Sequence, residues 1–317
     1  MNFADCSPAC QVAGELLIRF GERIGDPRMI QHGQFACRST KKNLFERHGS
    51  WKLFRLFSGL FDPRKALPNP KAPLVRDAYF PDTEIVVARE KEGSVKGLFF
   101  AAKGGHNAES HNHNDVGSFV LYSDGKPGLI DIGVETYTQK TFSPERYSLW
   151  AMRSGYHNLP TVNGVEESAG RSFSASNLQY SVSKGGTDFS LHLEKAFPEK
   201  AGIRSWRRDF RFKRGKKAQL AIREAVDLSG PTRDVFFSLM TVCRQKKSGK
   251  GKVILKISGG RDLELTWDES LLTFKSERIA VTDPKLRGEW GPVLWRMVFR
   301  LAKTIQKAEI SFIFRQI

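Results

Sequence analysis

Cysteine, long apolar runs and low-complexity tracts are all scarce in this 317-residue sequence. Its four cysteines, Cys6, Cys10, Cys37 and Cys243, make no CxxC pair, which argues against a structural zinc ribbon. Cys6, Cys10 and Cys37 fall in or near one small helical region, where a disulfide is allowed; reduced, largely buried thiols are the alternative. No apolar stretch reaches about 18 residues, so no helical membrane span is expected. The start, Met1-Asn2-Phe3-Ala4-Asp5, lacks the basic and apolar regions of a secretory signal. Acidic residues are in deficit, with 34 Asp and Glu against 51 Lys and Arg, a net charge of +17. That balance suits a polyanion: nucleic acid, anionic lipid or acidic polysaccharide. The basic residues are scattered, and a run such as Arg211–Lys217 fits a strand meeting a solvated turn. No nucleic-acid-binding motif accompanies the charge, so nucleic acid is not the expected partner.

Three segments differ in periodicity. Residues 1–61 have helical spacing. Ser7-Pro8 offers an N-cap followed by Pro, and Val12, Leu16, Leu17 and Phe20 mark an apolar stripe that ends at Gly25. Asp26-Pro27 opens a second helix in the same way, and Trp51–Phe57 is a third apolar segment. Such short helices cannot bury their apolar faces alone, so they look like the end of a larger helical domain. Residues 62–83 form a Pro-rich linker. From residue 84 to 317 short β-rich runs alternate with Gly/Asp/Lys turns. Glu84–Arg89 and Gly97–Ala102 flank a turn and predict a hairpin. Phe189–Glu194, Gln219–Val226, Val253–Ile257 and Ile310–Phe314 also fit strands. The expected fold is mainly β: a large antiparallel β-sandwich behind a short N-terminal all-α segment.

Candidate chemistry concentrates between Gly104 and Gly164. His111-Asn112-His113-Asn114-Asp115 places five ligand-capable side chains directly before the apolar strand Gly117–Tyr122. In extended backbone His111 and His113 face the same way, so both could bind a metal, or one could bind metal while the other moves protons. Asp131 lies beside an apolar strand, and His157 follows Arg153-Ser154-Gly155-Tyr156. Two imidazoles and a carboxylate suit Zn²⁺ or a similar metal, and His113, Asp131 and His157 could supply them. An ideal hairpin through Ser123–Lys126 sets Asp131 opposite residues 118–120. His113 then reaches it only if the chain bends near Asp115-Val116-Gly117.

The motifs His111–Phe119, Asp124–Gly133 and Arg153–Gly164 together resemble the C-terminal β-domain of heparinase II/III-like polysaccharide lyases. The resemblance runs from about Tyr79 to the C-terminus, and residues 1–61 resemble the last helices of that family's (α/α) toroid. It implies a lyase that cleaves a uronic-acid-containing acidic polysaccharide, such as a glycosaminoglycan, by β-elimination. It gives His111 the catalytic position and His113, Asp131 and His157 the zinc positions found in some members. Tyr137 and Arg153 become the substrate-binding candidates, and Tyr147 falls where loop residues line the cleft. A periplasmic or secreted location follows from the resemblance, and a homo-oligomer is allowed. Family members carry a carboxylate neutraliser and a catalytic tyrosine on the toroid, upstream of the helices present here. The chain is therefore expected to be a C-terminal part of a longer enzyme, or a carbohydrate-binding β-sandwich that has lost its toroid.

Bland roles compete at several positions. Arg153 suits a structural ion pair, His106 and Glu109 suit loop polar residues, and His32, His48 and His192 belong to no constellation. Trp150, Trp206 and Trp290 are expected in the core rather than as sugar platforms.

Overall fold

The computed structural model describes residues 2–8, 12–39 and 70–317. Two compact units divide the chain: residues 1–8, 76–91 and 95–317 form one, and residues 9–75 with 92–94 the other.

The smaller unit contains α1 (Gly14–Ile24) and α2 (Pro27–Ser39). Gly25 ends α1 at φ 70, a left-handed position that glycine tolerates. Asp26 caps α2 as its sequence predicts, its Oδ1 accepting from Arg28 N at 2.8 Å and Met29 N at 3.1 Å. The expected stripe on α1 is corrected. Val12, Leu16 and Phe20 are 43%, 49% and 51% exposed, whereas Gly14, Ile18 and Gly21 are the buried positions. The two helices meet through glycine: a Cβ on Gly14 would lie 2.5 Å from Gly33 O. That close approach turns the small residues inward and the long apolar ones outward. The helix also begins after residue 13, not at Ser7-Pro8. Trp51–Phe57, His48 and Cys10 lie outside the described residues.

In the larger unit the order begins with β1 (Asp77–Phe80), β2 (Ile85–Arg89), β3 (Leu98–Lys103), β4 (His106–Asn107), β5 (Phe119–Ser123), β6 (Lys126–Leu129), β7 (Pro160–Val162) and β8 (Gly170–Ser174). It continues with β9 (Ser176–Val182), β10 (Gly186–His192), β11 (Ile203–Lys213), β12 (Gln219–Thr232), β13 (Val235–Thr241), β14 (Arg244–Lys247), β15 (Lys252–Lys256) and β16 (Leu263–Trp267). β17 (Leu272–Ala280), α3 (Pro284–Trp290), β18 (Val293–Leu301) and β19 (Ile305–Gln316) complete it. β2 and β3 form the predicted hairpin, with Val87 opposite Ala101. The four strands expected further on are β10, β12, β15 and β19.

Three antiparallel sheets build the sandwich. One has the order β1-β2-β3-β5-β6, the second β14-β15-β16-β19-β12-β11-β10-β9, and the third β17-β18-β13-β7. Along β11 burial alternates: Trp206, Arg208, Phe210 and Phe212 are buried, while Arg207, Arg211 and Lys213 turn outward. The buried face of the second sheet packs on the other two. Phe100 and Phe210 rings are 5.1 Å apart, and Phe237 and Phe312 rings 5.3 Å. Trp206 is fully buried, as expected of a core tryptophan, and Trp150 and Trp290 pack against a second cluster around Ile130, Ile132 and Leu286. Phe3 packs on the opposite face of the first sheet, against Val87, Phe99, Ala101 and Val120. This anchors residues 2–8 to the β-sandwich.

Candidate active site and metal centre

The turn between β3 and β5 carries the polar run, and buried bonds hold it rigid. Lys103 closes β3 with its ammonium 2.8 Å from Asp115 and 3.1 Å from Glu109. Burial opposes the Lys103 charge, but Asp115 and Glu109 outweigh it and hold the ammonium charged. Asn107 Oδ1 accepts from Asp115 N at 3.2 Å, and its Nδ2 donates to Glu167 Oε2 at 3.0 Å. The bend expected at Asp115-Val116-Gly117 is present: Ser118 N bonds Asp115 O at 3.0 Å. Gly117 sits at φ 80, where a Cβ would also lie 2.5 Å from Leu193. Beneath the bend, Arg208 donates to Gly117 O at 2.8 Å and Asn158 O at 3.0 Å, and pairs with buried Glu224. Asn158 in turn donates to Phe119 O and Ile130 O and accepts from Met240 N. One buried amide thus ties together the segments that carry His113, Asp131 and His157.

The two histidines of the run do not share a face. His111 takes φ 57, so the run is not extended there, and its side chain is 57% exposed. His113 is fully buried. Left-handed backbone at a non-glycine residue is costly and clusters at functional sites.

Both rings converge on Asp5, which sequence reasoning did not select. Asp5 Oδ2 lies 3.0 Å from His111 Nδ1 and accepts from the Tyr137 hydroxyl at 2.9 Å. Its Oδ1 lies 3.0 Å from His113 Nε2 and accepts from Arg146 Nη2 at 2.9 Å. Burial opposes ionisation of Asp5, but bonds from His113, His111 and Tyr137 outweigh it and hold the carboxyl well below the usual range. Tyr137, raised by burial and by Asp5 to about 12, keeps its proton at neutral pH. Arg146 also donates to Asn112 O at 2.9 Å and Thr141 O at 2.9 Å, and Tyr147 donates to Asn112 Oδ1 at 2.9 Å. Asp5 is 106 residues from His111, and nothing in its local sequence marks it. The sequence resemblance places Tyr147 near the cleft, but the partners of Arg146 and Tyr147 are invisible without the fold.

His113, Asp131 and His157 do come together. Each offers a ligand atom, and these atoms lie within 4.8 Å of one another in a buried group that could hold a metal ion. His113 Nδ1 is 3.2 Å from His157 Nε2, and His157 Nε2 is 3.2 Å from Ala151 O. His157 Nδ1 is 3.3 Å from Asp131 Oδ2, yet it is buried without a hydrogen bond. Asp131 also accepts from Gly133 N at 2.8 Å and Ala4 N at 3.3 Å. When His113 Nε2–H donates to Asp5 and His157 Nε2–H to Ala151, both Nδ1 atoms are left as acceptors beside a carboxylate oxygen. Three acceptors crowded in a buried site fit a cation. An Asp5 carboxylate behind a ligating histidine is the usual outer partner of such a site. Burial pushes the His113 pKa down, whereas at His157 burial is outweighed by Asp131, which pushes it up. Burial likewise opposes ionisation of Asp131, and the nearby His157 outweighs it.

Arg153 stands apart from this cluster, held by Glu166 at 2.6 and 3.1 Å and 45% exposed. It lines an open cavity of about 340 Å³ together with Asn114, Tyr147 and Glu167. Glu109 serves the Lys103 pair, and His192 lies 3.3 Å from Glu194.

A family model for the heparinase II/III-like C-terminal domain matches residues 72–284, more than half of the chain. The chain belongs to this family. No curated protein sequence matches it. Among solved structures it resembles heparan sulfate lyase HepC from Pedobacter heparinus, with TM-score 0.63 and 13% identity, over 99% of this chain and 43% of that one. It also resembles a heparinase III, with TM-score 0.63 and 14% identity, over 99% of this chain and 44% of that one. The heparinase II/III-like chain therefore spans less than half the length of these lyases. At such identities the likeness establishes the fold. None of its described helices is long and apolar enough to cross a membrane.

Proposed function

We propose that this protein is the β-part of a lyase that cleaves a uronic-acid-containing acidic polysaccharide, such as a glycosaminoglycan, by β-elimination. In this reading the segment that carries α1 and α2 ends a helical toroid, the Pro-rich stretch before β1 links it to the sandwich, which also takes in residues 2–8 and β1, and the whole enzyme works outside the cytoplasm. The carrying observation is the Asp5–His111 pair: an exposed imidazole whose Nδ1 is engaged by a buried, ionised carboxylate. Asp5 fixes the ring so that Nε2 is the reactive edge, and it stabilises the imidazolium once that edge has taken a proton. Elimination removes the proton from C5, forms the C4–C5 double bond and expels O4, which must receive a proton. His111 Nε2 is the group placed to carry one of these protons. Arg146 and Tyr137 hold Asp5 in place, and the +17 charge draws in the polyanion. Tyr137 is the nearer substrate contact, and Arg153 contacts substrate beyond the cluster. His113, Asp131 and His157 would hold zinc, which would organise the site by fixing the turn behind His111.

New absorbance from an unsaturated uronate, when the natural full-length protein meets a panel of glycosaminoglycans and alginate, tests the reading. His111→Ala abolishes the product, and Asp5→Asn lowers the rate by about 100-fold or more. No product across the panel from folded protein refutes it.

The exposed, edge-to-face rings of Tyr137 and Phe142 favour one second reading, a carbohydrate-binding β-sandwich without turnover. Oligosaccharide binding unchanged by His111→Ala, with no product, would establish that alternative.

A further inference from the structure

Beside His111, the Tyr137 contact extends into a wider aromatic surface that takes in Phe142. Phe142 is 68% exposed and Tyr137 43% exposed, an unusual pairing next to a reactive side chain. Their rings meet edge to face at 5.1 Å, and the His111 ring lies nearly parallel to Tyr137 at 6.3 Å. Lys285 projects from α3 and holds its ammonium 4.9 Å from the centre of the Tyr137 ring. Among the described residues no carboxylate forms an ion pair with Lys285.

The surface is built in advance. Thr138 N donates to Thr141 Oγ1 at 3.0 Å, which fixes the turn ending at Phe142. Asp283 accepts from Leu286 N at 2.9 Å, capping α3, and from Thr136 N at 3.0 Å, tying the Tyr137 loop to that helix. The Tyr137 hydroxyl is bound to Asp5, so neither the ring nor the loop must be ordered when a ligand arrives.

We infer that Phe142, Tyr137 and Lys285 form a subsite for an acidic sugar ring, with the ring's C–H face on the aromatics and its sulfate or carboxylate on Lys285. The inference rests on the acidic-polysaccharide reading of the site. The aliphatic C–H bonds of a pyranose are weakly positive and apolar, which suits the negative face of an aromatic ring. An ammonium without a carboxylate partner supplies the opposite charge at the rim. A bare apolar patch would lack that cation, and a simple anion site would lack the rings.

Isothermal titration of the full-length protein with three defined heparan-type hexasaccharides tests it: sulfated, unsulfated, and carboxyl-reduced. Both substitutions are on exposed or half-exposed side chains, and circular dichroism checks the fold. Phe142→Ala weakens all three by about tenfold, or about 1.4 kcal/mol. Lys285→Met weakens by about tenfold only those ligands that carry the anion it meets. Loss of that effect with the unsulfated ligand assigns sulfate, and loss with the carboxyl-reduced ligand assigns carboxylate. Affinities unchanged in both variants, or a wild-type protein that binds none of the three, overturn the subsite. Product formation that persists while binding ignores both variants refutes the subsite alone. Variant-sensitive binding with no product refutes the lyase reading alone.

Discussion

Replacing Glu167 with Gln should stabilise the protein at pH 8 and flatten its pH dependence. Glu167 is 4% exposed. Its Oε2 accepts from Asn107 Nδ2 at 3.0 Å and Val116 N at 3.0 Å, while Oε1 is buried without a partner. Burial, with Asp115 nearby, raises its pKa from 4.5 to about 8. The unfolded carboxyl loses its proton near 4.5, and the folded one keeps it to about 8. Between those values the folded state binds the extra proton, so this contribution is whole below 4.5 and is lost as pH rises towards 8. At about 1.4 kcal/mol per pH unit the loss approaches ~5 kcal/mol, an upper figure because water and local relaxation soften the cost of charging. Glutamine keeps an acceptor for Asn107 and Val116 and cannot ionise. Urea unfolding between pH 5 and 8, followed by tryptophan fluorescence, gives the answer. The two proteins should match within about 1 kcal/mol at pH 5 and diverge by several at pH 8, with the variant more stable. Parallel pH profiles would refute the reasoning.

Two further outcomes follow from buried groups. Arg208→Met strands Glu224 and removes donors from Gly117 O and Asn158 O, so it should cost about 3–5 kcal/mol in denaturant unfolding, and a loss below about 1 kcal/mol would contradict the assigned network. Elemental analysis of protein purified without added metal should give about one equivalent, lost in His113→Ala; native protein free of metal would remove the centre.

Much of the larger unit was legible in the sequence because a strand with one buried face writes a period of two. The strands β10, β12, β15 and β19 followed from that signal, whereas the β2–β3 hairpin rests on two short β-rich runs around a turn, and β3 is buried on both faces. The same logic failed on α1. An apolar stripe is normally the buried face of a helix, but here Gly14, Gly21 and Gly33 allow backbone contact and claim the interface. Periodicity records which residues are apolar, not which surface a neighbour covers.

The candidate site divides along the same line. Sequence by itself supplied His111, His113, Asp131 and His157, because their residue types and motif spacing carry the chemistry. It also limited the reach of His113 to a chain bent before β5, and the bend is there at Gly117. Only tertiary structure decided that the two histidines diverge and that Asp5 holds both. It also decided that α3 sets Lys285 against Tyr137. Local pattern fixes which side chains a segment offers. Contacts between residues more than a hundred positions apart depend on how sheets and loops close on one another, and no local pattern encodes them.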